Sequence, residues 1–312
     1  MEFRTVTEPP RLQGLLNHRS RILMLGSCFS DNIGARLADD LFHVTVNPMG
    51  TLYNPLSVLR CVETLSQRRD VVPGSLLPHE GRWHHYMFHS RFSRLSPEDA
   101  LDGMNRAIHN GADALAGVDI VIITLGSTRV FRLRDTGDVV TNCHKQPSDA
   151  FIEEELGVDA VADALDCTVA AIRRVNPAAK VLLTVSPIRH MASGLSGNSL
   201  SKATLRVAMA RSVEKHSGVY YFPSYEIMLD DLRDYRFYAA DMKHPSDVAV
   251  EYIYGVFMDS TMHADTIAAA RECRPLSRRM RHRASPGSPP DSSLASLISS
   301  LTVKYPYITD LL

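Results

Sequence analysis

Three short apolar runs constrain this chain more than anything else in it: RILML at 21–25, DIVIITLG at 119–126 and KVLLTVSPI at 180–188. Each is shorter than a core helix, lacks the alternation of a half-exposed strand, and is bounded by turn residues. Strands of that kind are covered on both faces, as in a parallel sheet. Between the last two runs, GVDAVADALDCTVAAIRRVNP (157–177) repeats its apolar residues at helical spacing and stops at Asn176-Pro177. The same reasoning predicts a helix over 201–216 capped by Ser201, a strand over 219–224 and a closing helix over 246–258. Strands alternating with helices predict an α/β protein, a three-layer α/β/α sandwich around a mostly parallel sheet.

Composition narrows the function classes. A net charge of -1 over 312 residues argues against neutralising phosphate backbones, so no nucleic-acid partner is expected. No apolar run approaches the ~20 residues that span a bilayer, so no membrane partner is expected. The first twenty residues lack the basic-then-apolar layout of a signal peptide. Five cysteines, at 28, 61, 143, 167 and 273, are scattered and form no C-x-x-C pair. Neither a disulfide framework nor a zinc site follows from that spacing, and a reduced, cytoplasmic protein is expected. The stretch HEGRWHHYMFHS (79–90) holds four histidines and the only tryptophan, but no cysteine or carboxylate spacing supports a metal. It reads as a loop or hairpin beside a cleft. Residues 1–264 read as one domain, 265–293 as a flexible Arg/Pro/Ser-rich linker, and 294–312 as an apolar segment that docks back or binds another chain.

Chemistry concentrates in two places. GSCFSDNIG (26–34) ends the first strand, with Gly26 allowing a turn and Asp31 and Asn32 suiting the opening of a helix. Cys28 then sits near a helix N-terminus, where unpaired N–H groups and the helix dipole favour a thiolate and can also hold an oxyanion. Far downstream, YAADMKHPSD (238–247) puts Asp241 three residues before His244, ahead of the closing helix. A carboxylate so placed can orient one imidazole nitrogen while the other faces a nucleophile.

This order of motifs resembles the SGNH, or GDSL-type, hydrolase superfamily, and more closely the GSCFA-domain family. The resemblance covers residues 1 to about 260 and adds NPMGTLYNPLS (47–57), TLGSTRVFR (124–132), NCHK (142–145), SPIRH (186–190) and LSKATL (200–205). It implies a flavodoxin-like parallel sheet. The superfamily's first block reads Gly-Asp-Ser with the serine as nucleophile. Over Gly26-Ser27-Cys28 the third position is Cys28, with Ser27 as a hydrogen-bonding neighbour; a shift of one register makes Ser27 the nucleophile. His244 is then the base and Asp241 its orienter. The resemblance gives Gly50 the second oxyanion N–H. The third block departs from the pattern: Gly126-Ser127-Thr128-Arg129 lacks the usual asparagine, a loss of roughly 3 kcal/mol of transition-state stabilisation unless replaced. Thr128, His144, Lys145, Arg189 and His190 are the candidates to replace it or to bind substrate.

The implied activity is that of an esterase or O-acyltransferase acting on a small-molecule or glycan ester. It needs no cofactor, and a coenzyme A thioester is one conceivable donor that Arg189 and Lys145 would suit. A non-catalytic ligand-binding module of the same fold is the alternative. A redox role for Cys28 is weaker, since no resolving cysteine is near it in sequence.

Overall fold

A computed structural model describes residues 5–281 and 292–311. The chain enters β1 (Arg21–Gly26), turns at Ser27 into α1 (Cys28–Asp39) and returns through β2 (His43–Val46). After α2 (Pro55–Gln67) come a hairpin of β3 (Leu77–His79) and β4 (Arg82–His84), then the long α3 (Pro97–Ala116). β5 (Ile120–Leu125) leads into an antiparallel insertion of β6 (Arg129–Leu133), β7 (Val139–Val140) and β8 (Phe151–Glu155). The alternation resumes with α4 (Val158–Val175), β9 (Lys180–Val185), α5 (Gly194–Lys215) and β10 (Val219–Tyr221). One helical turn, α6 (Ser224–Glu226), runs into a π-helical turn at Ile227–Asp231, and α7 (Asp247–Thr261) follows. Helices α8 (Ala264–Arg281) and α9 (Ser292–Lys304) form a C-terminal arm.

The central sheet is parallel throughout, in the order β2-β1-β5-β9-β10. Leaving β1, the chain builds β2 on one side and then crosses to build β5 on the other. Such a reversal opens a crevice at the carboxyl ends of β1 and β5, where α/β proteins place their sites. Successive residues of a strand face opposite sides of the sheet, so each apolar run feeds two cores. Leu23, Leu25, Val121, Ile123 and Leu183 pack with Leu65, Ile108, Leu165 and Leu205 of α2 to α5. Ile22, Met24, Ile120, Ile122 and Leu182 pack with Phe29 and Ile33 of α1 and Ile253 and Phe257 of α7. This is the expected three-layer sandwich.

Two expectations change. The helix predicted from 201 begins at Gly194, so Ser201 is not its cap but an interior, buried residue whose hydroxyl accepts the Thr128 N–H at 2.8 Å. The segment expected as a linker is helical through residue 281, because Ala269, Ala270, Cys273 and Leu276 recur at helical spacing and are buried. The high arginine content and Pro275 mask that period in the sequence. Residues 282–291 of the expected linker lie outside the described residues. The C-terminal segment docks back: Leu301 and Ile308 join Leu41, Cys273 and Leu276 in a small third core. Beside it, the fully buried Asp40 carboxylate receives Arg274 Nε at 2.6 Å and the Tyr254 hydroxyl at 2.8 Å. Among the described residues, no helix is long and apolar enough to cross a membrane.

Candidate active site

The site grows from the turn after β1. Gly26 has φ +140°, and a Cβ there would lie 2.2 Å from the Thr124 carbonyl oxygen, so only glycine fits. Its N–H donates to Asn47 Oδ1 at 2.8 Å, and Asn47 Nδ2 donates to Asp31 Oδ1 at 2.8 Å, tying the loop after β2 to the first turn of α1. Ser27 is the cap of α1. Its fully buried hydroxyl accepts the Phe29 N–H at 3.3 Å and donates to Ser186 Oγ at 3.0 Å. Cys28 is the first helical residue, where the backbone N–H has no partner within the helix, and its side chain is partly exposed. Of the neighbouring hydroxyl and thiol, the hydroxyl is fully buried and the thiol partly exposed. Cys28 Sγ lies 3.4 Å from the Tyr53 hydroxyl.

Tyr53 is held from behind: its carbonyl accepts the N–H groups of Gly126 at 2.8 Å and Ser127 at 2.9 Å. Burial first, then the adjoining Cys28, push the Tyr53 pKa up, so the phenol keeps its proton. His190 meets the Tyr53 ring edge-on, with centroids 5.4 Å apart. It lies so close over Gly126 that a Cβ there would be 2.5 Å from His190 Nε2. That nitrogen is buried and has no hydrogen-bond partner among the described residues. Burial, then the nearby Lys202 and His244, lower the His190 pKa to about 4, which keeps the ring neutral. Lys202 is itself fully buried, which lowers its pKa to about 7, and its Nζ donates to the Ser186 carbonyl at 2.7 Å. Ser186 thus joins Ser27 and Lys202 beneath the crevice.

The Asp241–His244 loop is built differently. Asp241 Oδ2 lies 2.6 Å from His244 Nδ1, and Oδ1 accepts the N–H groups of Lys243 at 2.9 Å and His244 at 3.0 Å. The His244 and Lys243 donors hold the Asp241 carboxyl well below the usual carboxylate range. The His244 side chain is 44% exposed. The Arg189 N–H donates to the Lys243 carbonyl at 3.1 Å, which sets the loop beside the segment that carries His190. The side-chain hydrogen bond of His244 nonetheless goes to Asp241 and that of Cys28 Sγ to Tyr53; among the described residues none joins His244 to Cys28.

The other expected residues have different partners. Gly50 donates its N–H to the Asn47 carbonyl at 2.8 Å, closing a turn, so that N–H is not open to an oxyanion. Thr128 donates its hydroxyl to Glu155 Oε2 at 2.6 Å and is buried. His144 packs against the His84 ring and lies 2.9 Å from the His85 carbonyl. Lys145 is 81% exposed, 3.6 Å from Glu80. Arg189 stacks on Tyr238 at 3.9 Å and Tyr235 at 5.0 Å, and its N–H donates to the Lys243 carbonyl at 3.1 Å. It braces the His244 loop. The histidine-rich stretch forms the expected hairpin, and among the described residues no three His, Cys, Asp or Glu side chains gather as a metal site. Tyr53 and Lys202 were not anticipated, although both lie inside motifs that stand out in the sequence. A lysine within the helical apolar pattern of LSKATL was the available signal.

No curated protein matches the chain. Several solved structures overlay on it loosely, three esterases among them. A carbohydrate esterase family 3 enzyme from Talaromyces cellulolyticus is 11% identical with a TM-score of 0.38, covering 81% of this chain and 99% of its own. The family 3 carbohydrate esterase of Clostridium thermocellum is 11% identical with a TM-score of 0.37, covering 80% and 96%. An acetyl xylan esterase from the rumen bacterium Butyrivibrio proteoclasticus is 12% identical with a TM-score of 0.40, covering 78% and 63%. Overlaps this loose do not carry a function from one protein to another. The sequence itself is more decisive: the GSCFA family profile matches residues 21–257, a span that runs from β1 through the Asp241–His244 loop into α7, and the chain belongs to the GSCFA family.

Proposed function

We propose that this protein handles acyl groups, as an esterase or O-acyltransferase working through a Cys28 acyl-enzyme. The observation that carries this is the pairing of a thiol at the N-terminus of α1, on the switch point of the sheet, with an Asp241–His244 dyad 2.6 Å apart beside the same crevice. His244 Nε2 takes the thiol proton as Cys28 Sγ attacks the carbonyl carbon of an ester. The bond to the leaving oxygen breaks, and His244 returns the proton to that oxygen. Water or a second hydroxyl then gives its proton to His244 and takes the acyl group from sulfur, restoring the thiol.

The Cys28 N–H is the first oxyanion donor. The second, replacing the superfamily's asparagine, is the neutral His190, whose Nε2 is buried, unpartnered and set over Gly126. With Arg189 and Lys145 turned to other partners, an uncharged ester, such as an acetylated glycan, suits the crevice better than a coenzyme A thioester. The chemistry needs no cofactor.

The test is brief exposure to p-nitrophenyl acetate, and separately to acetyl-coenzyme A, followed by an acid quench and peptide mass mapping. We expect an acetyl group on Cys28 that is lost in His244→Ala. An adduct on Ser27 would make the hydroxyl the nucleophile. A non-catalytic binding module is the second reading, favoured by the lack of a Cys28–His244 hydrogen bond. It predicts no adduct in either treatment.

A further inference from the structure

The mechanism just given leaves Tyr53 without a role, although its hydroxyl is the only hydrogen-bond partner recorded for Cys28 Sγ among the described residues. We propose that Tyr53 is a further catalytic residue: its hydroxyl donates a hydrogen bond to Cys28 Sγ, stabilises the thiolate and aims it into the crevice. This rests on the acyl-enzyme reading for its purpose, but the contact stands on its own geometry.

Three observations carry it. The separation is 3.4 Å, within reach of an O–H···S bond. The phenol stays a donor, since burial and the neighbouring sulfur both oppose its ionisation. The side chain is also aimed by the fold: two consecutive N–H groups, those of Gly126 and Ser127, converge on the Tyr53 carbonyl, and the ring is bordered by His190. The third motif, which lacks the usual asparagine, therefore contributes through its backbone by fixing the residue that holds the nucleophile. A thiolate is a soft anion, and a charge-assisted bond from a hydroxyl is stronger than one between neutral partners. No proton leaves Tyr53 at any step; the thiol proton goes to His244. The other groups that face Tyr53 are the Thr51 hydroxyl, the Asp31 carboxyl and the neutral His190, and of these only Asp31 opposes a negative charge nearby.

The test needs no substrate. Cys28 in the full-length chain is alkylated with iodoacetamide across pH 6 to 10 and followed by mass mapping, for the unaltered protein and for Tyr53→Phe, which keeps the ring and its packing on His190. We expect Tyr53→Phe to slow alkylation of Cys28 at neutral pH about tenfold. The two rates should converge at high pH, where both thiols are ionised, and the melting temperature should change little. Identical pH profiles would overturn the proposal. Faster alkylation in Tyr53→Phe would overturn it as well, by showing that the phenol shields the thiol. Thr51→Val is the control for a merely structural disturbance: it alters the other hydroxyl beside Tyr53 and should leave the profile within about twofold of the unaltered protein. If p-nitrophenyl acetate leaves no adduct on Cys28 but the alkylation profile still shifts, the acyl-enzyme reading falls and the Tyr53 contact survives.

Discussion

The two halves of the candidate site are anchored in opposite ways. The Cys28 half rests on a buried post, in which Ser27 and Lys202 both bond to Ser186 beneath the sheet's carboxyl edge. The His244 half is a surface loop, held by the Asp241 side chain from within and by Arg189 stacked on two tyrosines from without. The difference suits the tasks proposed for them. A nucleophile and its oxyanion donors must not move relative to each other, whereas a proton carrier has to swing between thiol and leaving group. A buried anchor gives the first, and a loop with 44% of the histidine exposed permits the second.

The comparison can be broken outright with Cys28→Ala, which should abolish acetyl capture, a loss of at least about a thousandfold, with the fold unchanged. Residual acetylation of the variant would remove Cys28 from the mechanism. The next largest effect belongs to the buried post and is read by pH. Lys202 has a pKa of about 7 when folded against an ordinary 10.5, so between those values the unfolded chain holds a proton that the folded chain lacks. Stability therefore rises as pH climbs through that window, by on the order of 3 kcal/mol, and the deficit is complete below it. Lys202→Met should flatten this climb in urea unfolding series at pH 7 and pH 10; an unaltered slope would show that the lysine is not buried as described.

Asp241→Asn tests the loop. It should slow acyl transfer about a hundredfold by leaving His244 in the wrong orientation and tautomer, while stability changes little. A large loss of stability instead would make the loop as structural as the post. The smallest effect is the mirror image: Ser27→Ala should cost about 1 kcal/mol of stability through the lost cap, with Cys28 still acylated. Loss of acylation without loss of stability would reverse the roles of the two neighbours.

How much of this was legible in the sequence depends on whether a role is set by spacing or by proximity. The apolar runs of β1, β5 and β9 and the helical period of α4 announce themselves because burial on both faces, or along one stripe, writes a pattern into a single segment. So does Asp241–His244, whose partners are three residues apart. The strands β6 and β8 do not, since they are half exposed and tied together by Arg129–Glu153 and Arg132–Glu154 pairs that read locally as a polar stretch. Arg189 shows the same limit at the level of one side chain. Its place after β9 was readable, but the tyrosines that draw it away lie more than forty residues downstream, at 235 and 238. Tyr53 reaches Cys28 only through the fold.

The bond between Asp40 and Arg274 has a consequence for synthesis. Its two residues are 234 apart, and Arg274 lies beyond the whole family-matched span. On a ribosome, β1 and α1 emerge and can pack long before Arg274 exists, because chains fold as they appear. During that interval Asp40, at the far end of the helix that begins with Cys28, lacks its cationic partner. The arm thus arrives after the whole family-matched span, and it completes the charge balance of α1.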